Sequence, residues 1–438
     1  MSHAPIGSPS VARRQFLVGS SAALAGAALV QPAAAKLART LGEKELRVAL
    51  VGCGGRGAGA AVQALSTEGP VKLVAMADAF LDRIETCLGE VSRARPDRVD
   101  VPPERRFLGF DAYKKAIDVD CDVVLLCTQP GFRPAQFEYA VSRGRHVFME
   151  KPVAVDAPGV RRVLAAAEQA KKQRLKVGVG LQRHHDARYL ETVKRLQEGA
   201  IGDINLLRCY WNNDGVWVYK RQPQMTEIEY QMRNWYYFTW LCGDHIVEQH
   251  IHNIDVCNWV KNATPVRAQG QGGRQVRTGP DFGEIYDHHF VEFTYADGSK
   301  MFSQCRHQPS TWSNVSEHAH GANGVCDISG ASISFKDGTR WRSRAEGGDP
   351  YQVEHDALFR AIREEREHDE SVNGAHSTMT AILGRMATYS GREIGWDEAL
   401  ASELVLAPAE LSWTADASVT PDANGLYPIP MPGRTRVL

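Results

Sequence analysis

The chain has no CxxC pair, and its nine cysteines show no metal-ligand spacing. An odd count scattered through apolar runs, as at Cys121 and Cys127, reads as buried thiols and not as a disulfide framework. Net charge is only −1 over 438 residues and no long basic block occurs. That argues against nucleic acid as a partner. Beyond the N-terminal region no apolar run reaches the roughly 18–20 residues that a spanning helix needs, so no integral membrane segment is expected in the mature chain. Internal repeats are also lacking. What remains, with 43% hydrophobic and 24% charged residues, is an ordinary globular composition, long enough for two domains.

The most informative stretch is the apolar run 46–51 leading into Gly52-Cys53-Gly54-Gly55-Arg56-Gly57. Strand, GxGxxG and a helix-compatible segment follow one another. Gly52 permits the tight turn, Gly54 and Gly55 let backbone approach a pyrophosphate, and Gly57 lets helix and strand pack closely. A second apolar run, 71–77, ends in Asp78, 21 residues beyond Gly57. A carboxylate there accepts hydrogen bonds from the adenosine ribose hydroxyls and repels a 2′-phosphate, which favours NAD over NADP. Arg56 and Arg83 are the cations that could neutralise such a phosphate and admit NADP.

Residues 1–35 read as an export signal of the twin-arginine type. Arg13-Arg14-Gln15-Phe16-Leu17 precedes a modest apolar stretch to Val30, then Ala33-Ala34-Ala35. A periplasmic or otherwise extracytoplasmic location follows from that reading. No dinucleotide pool exists there, so an exported enzyme of this kind must hold its cofactor tightly and restore it within each cycle.

Strand-like and helix-like segments alternate from residue 36 to about 175, the pattern of a Rossmann doubly wound parallel sheet. From about residue 176 to 405 the texture changes to an α+β domain. Strand-like runs at 203–212, 266–271, 285–295, 300–308 and 325–335, with Asp297-Gly298 as a hairpin turn, predict a large, mostly antiparallel open sheet. Helices are expected at 352–367 and 378–391. Residues 406–438 form an extended, Pro-rich tail suited to strapping across a surface.

Two places carry candidate chemistry. Glu150-Lys151-Pro152 follows the strand 145–149, so Lys151 stands at the carboxyl end of the sheet, where ligands bind. Its ammonium could stabilise a developing alkoxide. The second is the segment Asp244-His245-Ile246-Val247-Glu248-Gln249-His250-Ile251-His252-Asn253-Ile254-Asp255. On one continuous helix, Glu248, His252 and Asp255 share a face, with a carboxylate one turn away on either side of His252 to fix its tautomer and raise its basicity. No HExxH order is present, and no metal is expected. Between residues 211 and 240 eight tryptophan and tyrosine side chains cluster, either a wall for pyranose faces or ordinary core packing.

These motifs together resemble the Gfo/Idh/MocA family, the relatives of glucose–fructose oxidoreductase and inositol dehydrogenase. The resemblance rests on Gly52-x-Gly54-x-x-Gly57, Asp78, Glu150-Lys151-Pro152 and Glu248-x3-His252-x2-Asp255. It implies that Lys151 polarises a substrate hydroxyl and that His252 accepts its proton. Glu248 stands where the family usually has aspartate, with His245 or Asp244 able to share its orienting task. Gln182-Arg183 resembles a site-facing segment, so Arg183, Asp255 and His245 are candidates for substrate contact. It also implies a homodimer or homotetramer.

The function expected on these grounds is NAD(P)-dependent oxidation and reduction of a hydroxyl on a sugar, sugar derivative or cyclitol, with an internally recycled cofactor. The alternative is NAD-dependent glycoside hydrolysis through transient oxidation, elimination, hydration and re-reduction.

Overall fold

The computed structural model describes residues 44–438, so the export-signal reading lies outside the described residues. Glu45–Leu438 form one compact unit. Its first sheet contains β1 (Leu46–Val51), β2 (Val71–Asp78), β3 (Arg106–Leu108), β4 (Val123–Leu126), β5 (His146–Met149) and β6 (Val177–Val179). All pairs are parallel and the order is β3-β2-β1-β4-β5-β6. The central strands are near-continuous buried apolar runs, because helices cover both faces. Chain order reverses between β1 and β4, which opens a crevice at their carboxyl ends.

The second sheet holds β7 (Ile204–Asn213), β8 (Arg267–Gly273), β9 (His288–Thr294), β10 (Lys300–His307), β11 (Asn314–Gly321), β12 (Gly324–Asp327), β13 (Ser332–Phe335), β14 (Arg340–Arg342) and β15 (Ile394–Gly395). Its order is β14-β13-β12-β11-β7-β10-β9-β8-β15. Only β7 and β10 run parallel; the other pairs are antiparallel. Burial alternates along β10, so one face packs and the other meets solvent.

Four strands went unpredicted: β3, β11, β14 and β15. The expected single strand 325–335 is a hairpin, β12 to β13. Asp327 Oδ1 accepts from Gly330 N at 3.0 Å and folds the chain back there.

The helix Ser371–Ser390 lies between the layers, against helix Ala157–Lys172 on one side and β8 and β9 on the other. It is buried along nearly its whole length. Small residues permit this: a Cβ on Gly384 would come within 2.9 Å of the Phe293 ring, and one on Gly374 within 3.0 Å of Val179.

Candidate active site

β1 runs straight into the glycine loop. Gly52 has φ +94°, and a Cβ there would sit 2.5 Å from the Cys127 carbonyl carbon. At Gly57 a Cβ would lie 1.9 Å from Gly52 O, so only glycine allows the helix to start so close to the strand. At Gly54 and Gly55 an added Cβ meets nothing within 4 Å. That free space belongs to a cavity of about 820 Å³ at the carboxyl ends of β1, β2, β4 and β5. Helix Gly55–Ala64 begins at its wall. Unpaired N–H groups at a helix start, beside open space, fit a dinucleotide pyrophosphate.

Asp78 ends β2 beside this loop. Its Oδ2 accepts from Cys53 N at 2.7 Å and its Oδ1 from Phe80 N at 2.9 Å. Burial pushes the carboxyl upward while those two N–H groups pull it down. The backbone bonds fix the carboxylate and leave lone pairs for ribose hydroxyls. Arg56 does not serve this end of the cavity. Its guanidinium pairs with Glu150 and reaches Glu354 at 3.4 Å and Gln63 at 2.8 Å. The expectation that Arg56 could neutralise a 2′-phosphate is therefore corrected, because two carboxylates near β5 already hold it. Arg83 alone of the two candidates lies toward Asp78.

Lys151 leaves β5 and enters the same cavity with Glu150. Its ammonium donates to the Glu248 main-chain oxygen and lies 3.2 Å from Glu248 Oε1. Burial raises the Glu248 carboxyl, with the Lys151 charge opposing. One of three ammonium donors remains for a ligand.

The continuous helix expected across 244–255 is broken. A turn of helix, His245–Glu248, ends there, and a second helix, Ile251–Lys261, begins after Gln249 and His250. The four-residue spacing therefore no longer places Glu248 and His252 on one face. Glu248 turns to Lys151. Asp255, 1% exposed, accepts from His184 Nε2 at 2.8 Å, Ser377 Oγ at 2.7 Å and Asn373 Nδ2 at 3.1 Å. Neither carboxylate orients His252, contrary to expectation, and Asp255 does not line the cavity.

His252 itself does line it. Its ring stacks on Trp211, centroids 6.0 Å apart and planes 21° from parallel. Nδ1 is buried with no hydrogen-bond partner among the described residues. Burial, then the charges of Lys151 and Arg183, hold the imidazole well below its ordinary range. A neutral ring next to an ammonium is a proton acceptor in waiting.

Two further candidates fall outside the cavity. Arg183 forms a buried ion pair with Glu317 and lies over the Tyr189 ring at 5.7 Å. Glu317 also binds Tyr189 at 3.1 Å and Asn253. Arg183 thus stands outside the cavity lining, where its charge still bears on His252. His245 is fully buried, its Nδ1 donating to Asp244 Oδ1 at 2.7 Å, and burial takes its pKa down to about 4. Asp244, His245 and His289 do form a compact, buried group of metal-ligand type. The Asp244 oxygens, however, already accept from His245, Tyr286 N and the Tyr389 hydroxyl.

The aromatic cluster divides. Trp211, Trp217, Tyr219 and Trp235 line the cavity. Tyr230, Tyr236, Tyr237 and Trp240 are at most 2% exposed and form core. Arg233, from the same segment, lines the cavity beside Phe80. Its guanidinium binds both Asp82 oxygens, at 2.8 and 3.1 Å, and sits 3.9 Å over the Phe80 ring. The tail packs against the same wall. Trp413 packs 5.1 Å from Phe80 and 4.6 Å from Phe110, both cavity-lining rings. Gln231 Nε2 donates to Val419 O at 2.8 Å, and Tyr427 donates to Glu227.

Sequence reasoning missed Thr128, Gln129, Gln249 and Tyr351, all of which line the cavity. Thr128 and Gln129 follow β4 and were discoverable from the rule that ligands bind at strand carboxyl ends. Tyr351 comes from a distant helix, and no local pattern marks it.

Residues 46–179 match the oxidoreductase family described as having an NAD-binding Rossmann fold, Gfo/Idh/MocA. Among characterised relatives, inositol 2-dehydrogenase of Rhizobium meliloti is 27% identical over 204 residues, 47% of this chain and 52% of that one. Inositol 2-dehydrogenase of Ralstonia nicotianae is 33% identical over 138 residues, 32% and 34% of the two chains. The match thus spans about half or less of either relative's length. Two solved structures extend the likeness of fold. Aldose–aldose oxidoreductase from Caulobacter crescentus, complexed with glycerol, superposes with TM-score 0.63 at 17% identity, over 80% of this chain and 100% of that one. Scyllo-inositol dehydrogenase from Lactobacillus casei, with NAD(H) and scyllo-inositol bound, gives 0.62 at 18% identity, over 81% and 100%. The glycine loop, Asp78 and Lys151 all lie within residues 46–179, the part of the chain that matches the Gfo/Idh/MocA family of NAD-binding oxidoreductases.

Proposed function

We propose that the protein is an NAD-dependent oxidoreductase acting on a hydroxyl of a sugar, sugar derivative or cyclitol, with a cofactor that stays bound and is recycled internally. The observation that carries this reading is the shared cavity: the glycine loop and Asp78 at one end, Lys151 and His252 at the other. When bound there, NAD supplies the hydride acceptor and donor. Lys151 donates a hydrogen bond to the reacting hydroxyl and stabilises the oxygen as negative charge develops. His252, neutral because it is buried beside Lys151 and Arg183, accepts the hydroxyl proton. Glu248 holds the Lys151 ammonium in place. Trp211, Trp217 and Trp235 offer apolar faces to a ring.

Internal recycling is supported by the packing of Arg233 and Trp413 against Phe80 at the cavity wall. The same packing suits the alternative, redox-neutral glycoside cleavage. There a hydride removed at a ring carbon is returned after the leaving group has been eliminated and water added. Export by the twin-arginine route, read from Arg13-Arg14, belongs to the proposal, as does self-association through the outer face of the large sheet, where Phe290, Val315 and Val325 are exposed.

The test is direct. Protein purified and dialysed exhaustively should release close to one NAD(H) per chain on heating. Without added nucleotide it should convert aldose pairs, or cleave glycosides if the alternative holds. Protein that carries no nucleotide and needs added NAD for each turnover overturns the recycling; no reaction with any sugar, cyclitol or glycoside overturns the activity. Retention of an R13K/R14K precursor inside the cell, with the wild type processed and outside, checks the export.

A further inference from the structure

A chain of buried groups behind the cavity fixes the direction of one amide. Arg277, 3% exposed, and His307, 2% exposed, lie behind the wall. Arg277 Nη2 is 2.6 Å from His307 Nδ1. A guanidinium only donates, so His307 Nδ1 must be the unprotonated nitrogen of a neutral ring. Burial, with the neighbouring Arg277 charge, keeps that ring neutral. The proton therefore sits on Nε2, which lies 2.9 Å from Gln249 Oε1 and donates to it. With its oxygen turned to His307, the Gln249 amide points its nitrogen the other way. That nitrogen has no partner among the described residues, and Gln249 lines the cavity alongside Glu248, Lys151 and His252.

We infer that Gln249 is a specificity-determining residue whose amide N–H groups bind a hydroxyl oxygen of the substrate next to the reacting one. His307 and Arg277 are positioning residues that hold it in donor orientation. This rests on the carbohydrate reading of the site and adds to it a polar contact that a deoxy analogue cannot make. A site built to donate to a hydroxyl rejects the analogue lacking it, because the donor is left unpaired.

The experiment uses the holoenzyme and follows single-turnover reduction of the bound nicotinamide at its absorbance maximum. D-glucose, myo-inositol and their methyl glycosides or ethers are the first probes, then the monodeoxy series of whichever reacts best. The wild type should discriminate against one deoxy position by roughly tenfold to a hundredfold in kcat/KM. Q249L should lose that discrimination while keeping the order of the other positions, and H307F should weaken it. Q249L retaining the full wild-type discrimination overturns the role of Gln249 and leaves the activity standing. No reduction by any probe in the wild type overturns the activity reading, and Gln249's role with it. A readout that needs no sugar separates the two. Nitrogen-15 spectra should show His307 as the Nε2–H tautomer in the wild type; the Nδ1–H tautomer overturns the orientation argument whatever the substrate.

Discussion

Glu248 Oε1 lies 3.2 Å from Lys151 Nζ, and the same side chain makes no bond to His252. The carboxylate at this position therefore serves the lysine. Shortening it by one methylene, E248D, draws the carboxylate away from the ammonium and should lower kcat by roughly tenfold to a hundredfold, the cost of misplacing a catalytic group by about 1 Å. Steady-state kinetics check this. A larger loss of cofactor than of turnover sinks the assignment.

Lys151 and His252 should be separable by what each contributes. K151A removes a donor to the developing oxyanion and is expected to lower kcat by about 10²–10³ with cofactor still bound. H252A removes the proton acceptor, costing about 10²–10⁴. The bound nucleotide, measured spectrally, should stay near the wild-type level in both. Wild-type turnover in K151A is the result that ends this mechanism.

The glycines of the loop should fail differently. G57A forces a Cβ to within 1.9 Å of Gly52 O, so it should destabilise the fold and show as a drop in the melting temperature of the protein. G54A adds a methyl where nothing lies within 4 Å. It should fold normally and lose cofactor, because the methyl occupies the room the pyrophosphate needs. A G54A protein that retains its nucleotide through dialysis contradicts the placement of the diphosphate.

Closure by the tail is testable without any substrate. W413A removes the ring packed on Phe80 and Phe110, and R233A removes the Asp82 pair. Each should raise the rate of cofactor loss on dialysis, W413A more, since an ion pair with a partly exposed partner contributes at most about 1 kcal/mol. Unchanged retention in the double variant would show that the strap does not hold the cofactor.

Stability should fall as pH drops below about 6.5. Burial takes His245 down to about 4 and holds His252 and His355 well below their ordinary value. Between the folded and unfolded values the unfolded chain binds more protons, so stability rises with pH across that window and is fully present above it. Urea titrations at pH 5 and pH 7.5 check the sign. Equal or greater stability at pH 5 contradicts it.

How far the sequence carried depends on the range over which each feature is set. The turn at Gly52, the helix start at Gly57, Asp78 at its strand end and Lys151 at the exit of β5 are local, dictated by backbone sterics and strand–turn–helix order within a few residues. They were legible, as was the succession of a parallel sheet and a mostly antiparallel one, because burial on two faces and on one leaves different residue patterns. The partners of the polar side chains were not. A carboxylate four residues from a histidine is a neighbour only while one helix continues, and the break after Glu248 removed that premise. Asp255 found Ser377, 122 residues away, and Arg183 found Glu317, 134 residues away. Only the packed molecule sets such pairs, since a buried charge goes to whichever complementary group the fold brings within reach, and the alternative of burial without one is costly. For the same reason the chain alone singled out Lys151 and His252 as candidates, while the folded structure decided what surrounds them: Glu248 against the lysine, Trp211 against the imidazole, and the tail's Trp413 against Phe80 and Phe110 at the cavity wall.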